Sequence, residues 1–229
     1  MLTQTIAESS RYGTARNARI MRVFAPPPAA DSFDLVGAAA MPFARNAEIY
    51  GENEPAEYLY KVISGTVRTY RVLSDGRRQI GAFYLPGDVF GLETGAEHSC
   101  SAEAITSAKI LVIRRSAVAA LAARDPAVAQ QLLGVTTREL GRAQNHIMLL
   151  IKTAQERVAG FLLEMADRVA GHDEVDLPMS RQDIADYLGL TIETVSRTLT
   201  QLESSAAIAL PTSRRIVLRN RAALRQLDS

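Results

Sequence analysis

The sequence predicts an α+β protein in which an N-terminal antiparallel β-roll precedes a long helix and a small C-terminal domain. Two observations lead to this class. Between about Phe43 and Arg114, short runs of alternating residues are separated by turn residues about every ten positions, which is typical of an antiparallel sandwich or roll. After Arg114, apolar residues recur at helical spacing instead.

The composition is that of an ordinary globular protein. The chain has 229 residues, 47% hydrophobic and 22% charged, and its formal net charge of +1 favours no particular partner. A single cysteine excludes an internal disulfide and a multi-cysteine cluster. No apolar run approaches the roughly 20 residues that a membrane helix needs. We therefore expect a cytoplasmic protein with no membrane partner.

Four segments follow from these patterns. The first thirty residues are basic and lack the apolar block of a secretion signal. A basic, acid-poor segment of this kind also resembles an organelle transit peptide, but we expect a flexible tail. The predicted segments are a flexible tail over 1–30, a β-roll over 31–125, a long helix over 126–151 and a C-terminal domain over 152–229.

Three strands of the β-roll are evident from the sequence. The runs EYLYKVI, TVRTYRVL and RRQIGAFYL are followed by the turn signals SG, SDG and PGD. In the SDG turn, Gly76 can adopt a positive φ without steric strain, which favours a hairpin.

A long helix is predicted from about Ala127 to Ile151. Spacings of four and three residues alternate along one narrow stripe, which comprises Ala129, Leu133, Thr136, Leu140, Ala143, Ile147 and Leu150. Such a stripe fits packing on the helix's own domain, and it also fits pairing of two parallel helices in a homodimer. Because its small residues let two helices approach closely, we expect the dimer.

A further helix is predicted from about Ala154 to Ala170. Its predicted buried face is Val158, Phe161, Leu162 and Met165. The run GHDEVD is predicted to end this helix as a loop.

The next segment predicts a winged helix-turn-helix. Ser180 and Asp183 form a variant of the capping box that begins a short helix, RQDIADYL. Gly189 ends this helix in the left-handed conformation of a tight turn, and Thr191 caps the helix that follows. The runs AIAL and RRIVL then predict two strands of a wing. The run RNRAALRQL predicts a final helix.

The second helix of this unit is two-faced. Its apolar face is Ile192, Val195, Leu199 and Leu202, and its polar face is Glu193, Ser196, Arg197 and Thr200. From Arg197 to Arg225 there are six arginines and one acid, a local net charge of +5. Taken alone, a basic segment of this kind is more typical of a solvated surface. In the same way, the four-residue spacing of Glu193 and Arg197 is by itself more typical of a surface ion pair. Beside a helix-turn-helix, both favour contact with double-stranded DNA.

The residue types on the polar face suit base recognition. Arginine donates two hydrogen bonds to guanine, and glutamate accepts one from cytosine or adenine. We predict base contacts from Glu193, Ser196 and Arg197, with Ile192 near enough to meet a thymine methyl group. The predicted contacts to the DNA backbone are Ser180, Arg181, Thr191, Thr194, Thr200, Arg214 and Arg215.

The run SRQDIADYLGLTIETVSRTLTQLE resembles the DNA-binding motif of the CRP/FNR family of bacterial transcription regulators. The upstream GDVFGLE fits that family's cyclic-nucleotide-binding-like β-roll. Within the family, PMSRQDIADYLGLTIETVSR is most similar to FixK-type regulators, which control genes for low-oxygen respiration and nitrogen fixation. The resemblance implies a homodimer on a two-fold DNA site with TTGA-like half-sites.

Several positions depart from the family's pattern. The N-terminal segment has no cysteine, so the iron–sulfur cluster of FNR is not expected. Cyclic-AMP-binding relatives hold the phosphate with an Arg-Ser pair where this chain has His98 and Ser99, and a neutral histidine cannot replace a bidentate guanidinium. Ser180 stands where some FixK-type proteins carry a redox-active cysteine. Cys100 is predicted to be a buried small hydrophobic residue.

The sequence thus predicts a dimeric transcription activator that recruits RNA polymerase and needs no effector, cofactor or metal. The alternative is a regulator whose β-roll binds an unidentified small molecule. A cupin-like enzyme is disfavoured because its metal site needs clustered histidines, whereas His98, His146 and His172 are scattered. We interpret His98 as a turn residue and His146 as a helix-surface residue.

Overall fold

The structure, a computed structural model, describes residues 38–169 and 173–228. The tail predicted over 1–30 lies outside these residues. The described part forms a β-roll, three consecutive helices and a C-terminal domain of helices and short strands, which confirms the predicted α+β class.

Eight strands form the β-roll. They are β1 (Ala39–Phe43), β2 (Glu48–Tyr50), β3 (Tyr58–Ser64), β4 (Val67–Val72), β5 (Arg78–Tyr84), β6 (Val89–Phe90), β7 (Ser101–Ala104) and β8 (Ala108–Arg114). Two four-stranded antiparallel sheets result, in the orders β1-β8-β3-β6 and β2-β7-β4-β5. Side chains from both sheets, such as Val62 and Val67, meet in one apolar core. Gly76 joins β4 to β5 with φ +83°, which confirms the predicted turn.

A short helix, α1 (Arg115–Ala122), leads into the long helix α2 (Pro126–Leu150). Asp125 caps α2 by accepting a hydrogen bond from the Ala127 amide at 2.8 Å, and Pro126 suits the first helical position. One face of α2 packs on the β-roll through Val135. The predicted stripe lies on another face, where its three largest exposed members, Leu133, Leu140 and Ile147, are 61%, 58% and 62% exposed. Apart from Leu150, which is half-buried, the members of the stripe are therefore exposed in the single chain.

The third helix, α3 (Ala154–Arg168), begins at a capping box formed by Thr153 and Glu156. Its predicted buried face is confirmed: Val158, Phe161, Leu162 and Met165 are each at most 1% exposed. This apolar face forms the centre of the C-terminal core.

The C-terminal domain, which begins with α3, continues with six further elements. These elements are β9 (Glu174–Asp176), α4 (Arg181–Leu188), α5 (Ile192–Ser204), β10 (Ile208–Ala209), β11 (Arg215–Leu218) and α6 (Arg221–Asp228). The loop predicted for GHDEVD is wrong over β9, because Val175 pairs with Ile216 and is fully buried. A single apolar residue between acids is too short a pattern to predict a strand. The wing is thus part of a three-stranded antiparallel sheet in the order β10-β11-β9.

The C-terminal domain and the β-roll share an apolar core. Ile80 and Phe83 of β5 belong to the same cluster as Phe161 and Tyr187. The ring centroid of Phe83 lies 5.1 Å from that of Tyr187 and 6.3 Å from that of Phe161. The C-terminal domain is therefore docked against the β-roll of its own chain.

Candidate nucleic-acid interface

The helix-turn-helix is built from local signals in the chain. The exposed Ser180 caps α4: its hydroxyl oxygen accepts a hydrogen bond from the Asp183 amide at 3.1 Å and donates one to the Asp183 carboxylate at 2.8 Å. Gly189 ends α4 in the left-handed conformation, with φ 62° and ψ 39°. The Thr191 hydroxyl then accepts from the Thr194 amide at 3.2 Å and begins α5. These three features confirm the predicted cap, turn and second cap.

One face of helix α5 is buried in the protein core, and the opposite face is exposed to solvent. Val195, Leu199 and Leu202 are buried in the C-terminal core. The opposite face leaves Glu193, Ser196, Arg197 and Thr200 exposed. Ile192, at the first turn, is 37% exposed, so it is accessible as well as apolar. The residues predicted to read bases thus lie together on one accessible surface.

Glu193 and Arg197 do not form the ion pair that their spacing predicts. No carboxylate of the described residues lies within 4.0 Å of the Arg197 guanidinium, which leaves its donors free. The pKa of Glu193 is lowered by its own backbone amide, by a hydrogen bond from Thr191 and by the charge of Arg197. Glu193 is therefore ionised at neutral pH and can only accept hydrogen bonds.

The local charge of +5 overstates the basicity of this region. Arg215 lies 3.0 Å from Glu174 and 3.2 Å from Asp176, two acids of β9 that precede the counted segment. Arg221 pairs in the same way with Asp167 at 3.2 Å and with Asp173 at 3.0 Å. Because each of these two arginines has carboxylates at its side, the prediction of a phosphate contact by Arg215 is not favoured.

Other arginines of the segment remain free. Arg197, Arg214, Arg219 and Arg225 are exposed, and the described residues place no carboxylate within 4.0 Å of them. Arg214 is thus the more accessible of the two predicted wing arginines. Arg181 is half-buried, and one of its guanidinium nitrogens is shielded from solvent without a hydrogen-bond partner among the described residues. Burial lowers the pKa of Arg181.

His98, one of the two residues at the predicted phosphate-binding position of the β-roll, lies in an aromatic environment. His98 lies between β6 and β7, outside any helix or strand, which agrees with its interpretation as a turn residue, but it is 1% exposed and stacks on Tyr50 with ring centroids 3.6 Å apart. Its Nδ1 lies 3.4 Å from a Glu93 carboxylate oxygen, without hydrogen-bond geometry. Packing of the aromatic rings was not visible from the sequence.

Two further side chains differ from their predicted settings. His146 is half-buried rather than on the helix surface: it stacks on Tyr187 with centroids 4.0 Å apart, and its Nε2 lies 2.8 Å from the Tyr187 carbonyl oxygen. Cys100 is half-buried, and this burial raises the pKa of its thiol, which does not favour a reactive thiolate.

Residues 38–169 and 173–228 contain neither a metal-binding cluster nor a membrane-spanning helix. No three His, Cys, Asp or Glu side chains there are grouped closely enough to hold a metal ion. Nor does any helix of these ranges have the length and apolar character needed to cross a membrane.

The fold and the exposed recognition face together define a DNA-binding transcription regulator. Residues 40–125 match the cyclic nucleotide-binding domain family, and residues 156–227 match the Crp-like helix-turn-helix domain family. The chain belongs to the CRP/FNR family and is similar to its FixK proteins, which makes it a transcription regulator and not an enzyme.

Individual relatives support this assignment. The nitrogen fixation regulation protein FixK of Azorhizobium caulinodans is 55% identical over 82% of this chain and 78% of its own length. FixK of Rhizobium meliloti is 44% identical over 79% of this chain and 82% of its own. The structure of FixK2 from Bradyrhizobium japonicum superposes with a TM-score of 0.80 and 53% identity, covering 84% of this chain and 98% of that one.

Proposed function

We propose that the protein is a homodimeric, sequence-specific transcription activator that needs no small-molecule effector. The exposed polar face of α5 carries this proposal. Its Arg197 guanidinium is free of carboxylates among the described residues and can donate two hydrogen bonds to guanine. Glu193 beside it can accept from cytosine or adenine, which accords with TTGA-like half-sites.

The exposed stripe on α2 supports the homodimer. Three large apolar side chains on one face of α2 are exposed to solvent in the single chain: Leu133, Leu140 and Ile147. Parallel pairing of two α2 helices buries them against their own copies. In that dimer the two α5 helices enter successive major grooves about one turn (~10 bp) apart, as two-fold DNA sites require.

Effector independence is supported by the interior of the β-roll. His98 and Ser99 stand at the sequence positions where cyclic-nucleotide-binding relatives carry the phosphate-binding Arg-Ser pair, and the His98 ring is stacked on Tyr50 with Glu93 3.4 Å from its Nδ1. A regulator gated by another small molecule is the remaining alternative, and no described side-chain arrangement favours a particular ligand for it.

The relatives suggest which genes are regulated. Because similar proteins carry the name nitrogen fixation regulation protein, we propose that this chain acts on nitrogen-fixation and low-oxygen genes. Activation by recruitment of RNA polymerase and a cytoplasmic location belong to the same proposal.

Selection of bound duplexes from random DNA tests the function directly. The purified parent should enrich a two-fold sequence with TTGA-like halves, and Arg197→Ala should lose about 1–3 kcal/mol of binding and relax preference at the guanine. The exposed Arg124, between α1 and α2, serves as a matched control, and Arg124→Ala should enrich the same site as the parent. Enrichment of no sequence by the parent would refute the function, whereas an unchanged Arg197→Ala profile would refute the role of Arg197 alone.

A further inference from the structure

A single buried carboxylate connects the helix-turn-helix to the β-roll. Asp183 is 4% exposed. Its Oδ2 accepts hydrogen bonds from the Ser180 amide at 3.0 Å and the Ser180 hydroxyl at 2.8 Å, which closes the cap of α4. Its Oδ1 accepts from Arg68 of β4 and Arg78 of β5, both at 2.7 Å. The cap that begins the DNA-binding motif is thus held by two guanidinium groups of the other domain.

Helix α4 makes additional polar contacts along its length. The Arg78 Nε donates to Asp186 at 2.8 Å, one turn after Asp183. The Gln79 side-chain amide donates to the Tyr187 carbonyl at 3.3 Å, the same carbonyl that His146 of α2 contacts. Neighbouring elements from both sides, β5 and α2, therefore hold the same helix.

The position of α4 determines that of the recognition helix. Only the Gly189 turn separates α4 from α5, and both helices contribute buried side chains to one core. A close-packed core transmits a displacement of one element to its neighbours. Contacts that hold α4 on the β-roll consequently set where the exposed face of α5 points.

We propose that Arg68 and Arg78 are positioning residues for DNA recognition, which hold the helix-turn-helix in its groove-binding orientation through Asp183 and Asp186. The inference rests on the proposed function. In this arrangement the β-roll acts as a fixed scaffold for DNA binding.

Arg78 is the better site for a test. Arg68 also pairs with Glu103 of its own domain at 2.9 Å, so its removal disturbs the β-roll itself. The carboxylate partners of Arg78 among the described residues, Asp183 and Asp186, both belong to α4. Asp186 lies outside the helix cap, and an asparagine there keeps the carbonyl oxygen that accepts from Gln182.

Asp186→Asn distinguishes positioning from simple electrostatics by the sign of its effect. Removing a negative charge from a DNA-binding domain by itself strengthens binding to a polyanion. If Asp186 positions the motif through Arg78, the variant should instead bind its selected site at least fivefold more weakly in fluorescence anisotropy. Arg78→Ala should show at least as large a loss, because it removes the contact with Asp183 as well. The double variant should be no weaker than Arg78→Ala alone, because that change already removes the contact with Asp186. Arg78→Lys, which keeps the charge but not the bidentate geometry, should be intermediate.

The neighbouring pair Arg77 and Asp75 is the matched control. It lies in the same hairpin, with Arg77 Nε 2.7 Å from the Asp75 carboxylate, and has no partner in the C-terminal domain among the described residues. Asp75→Asn should bind as the parent does, or slightly more tightly.

A second readout separates positioning from fold stability. Thermal unfolding identifies the folded fraction of each variant, and affinity for random duplex measures binding that needs no particular orientation. Positioning requires that folded Asp186→Asn lose its preference for the selected site over random DNA. Equal or tighter binding to the selected site by the folded variant would overturn the proposal. Failure of the parent to prefer any site would instead overturn the proposed function.

Discussion

If α2 pairs as proposed, Leu140→Glu is expected to dissociate the proposed homodimer. Leu140 is 58% exposed in the single chain, and full burial of a leucine contributes about 1.5–3 kcal/mol. Burying that remaining part on both protomers therefore contributes roughly 2–3.5 kcal/mol, or about 30–300-fold in the dimer dissociation constant. This is a lower bound for the glutamate variant, because two carboxylates would also meet at the helix pair.

Sedimentation equilibrium at several protein concentrations measures this effect. Asn145→Glu is the matched control, since the exposed Asn145 lies on the same helix about 140° around its axis from Leu140. The control should keep the parent's dissociation constant, whereas Leu140→Glu should be monomeric at micromolar concentration and bind the two-fold site far more weakly. A parent that is monomeric, or a Leu140→Glu variant that dimerises as tightly as the control, would refute the assignment of the stripe.

Three other predictions test the wing, the turn and the cysteine. Arg214→Ala should reduce the salt dependence of DNA binding by about one phosphate contact per protomer. Arg215→Ala should change the salt dependence little, because two acids already flank that side chain. Fluorescence anisotropy over a range of salt concentrations measures both effects. Gly189→Ala should lower the free energy of unfolding by about 1–2 kcal/mol in urea denaturation, since φ is +62° and the added Cβ meets nothing closer than 3.5 Å. Cys100 should react with iodoacetamide at pH 8 more slowly in the folded protein than in urea, because burial raises the pKa of its thiol; equal rates by mass spectrometry would contradict this.

Features set by neighbours in sequence could be predicted from the sequence. The cap at Ser180, the left-handed Gly189 and the cap at Thr191 each depend on residues within one helical turn, and all three appear in the structure. The stripe on α2 could also be predicted, because helical periodicity alone puts its members on one face. Which partner that face meets is a separate question that periodicity does not answer.

Features set by distant residues could not be predicted in the same way. The charge of the wing was counted along a continuous segment, but Glu174 and Asp176 reach Arg215 from a strand about forty positions away. The environment of His98 depends on the Tyr50 ring, which belongs to β2, about fifty positions earlier in the chain. A pattern confined to one segment contains no information about either contact.

Asp183 makes one contact that is set by neighbours in sequence and others that are set by distant residues. The latter contacts cross the boundary between the two domains. The contact of Asp183 with Ser180 follows from a three-residue spacing, whereas Arg68 lies 115 positions away. A C-terminal fragment starting at residue 152 would keep Asp183 and Asp186 but lose both guanidinium groups. It would also expose the apolar surface that Ile80 and Phe83 cover. The boundary predicted between residues 151 and 152 therefore separates two helices in the sequence, while the contacts that stabilise the DNA-binding motif cross it.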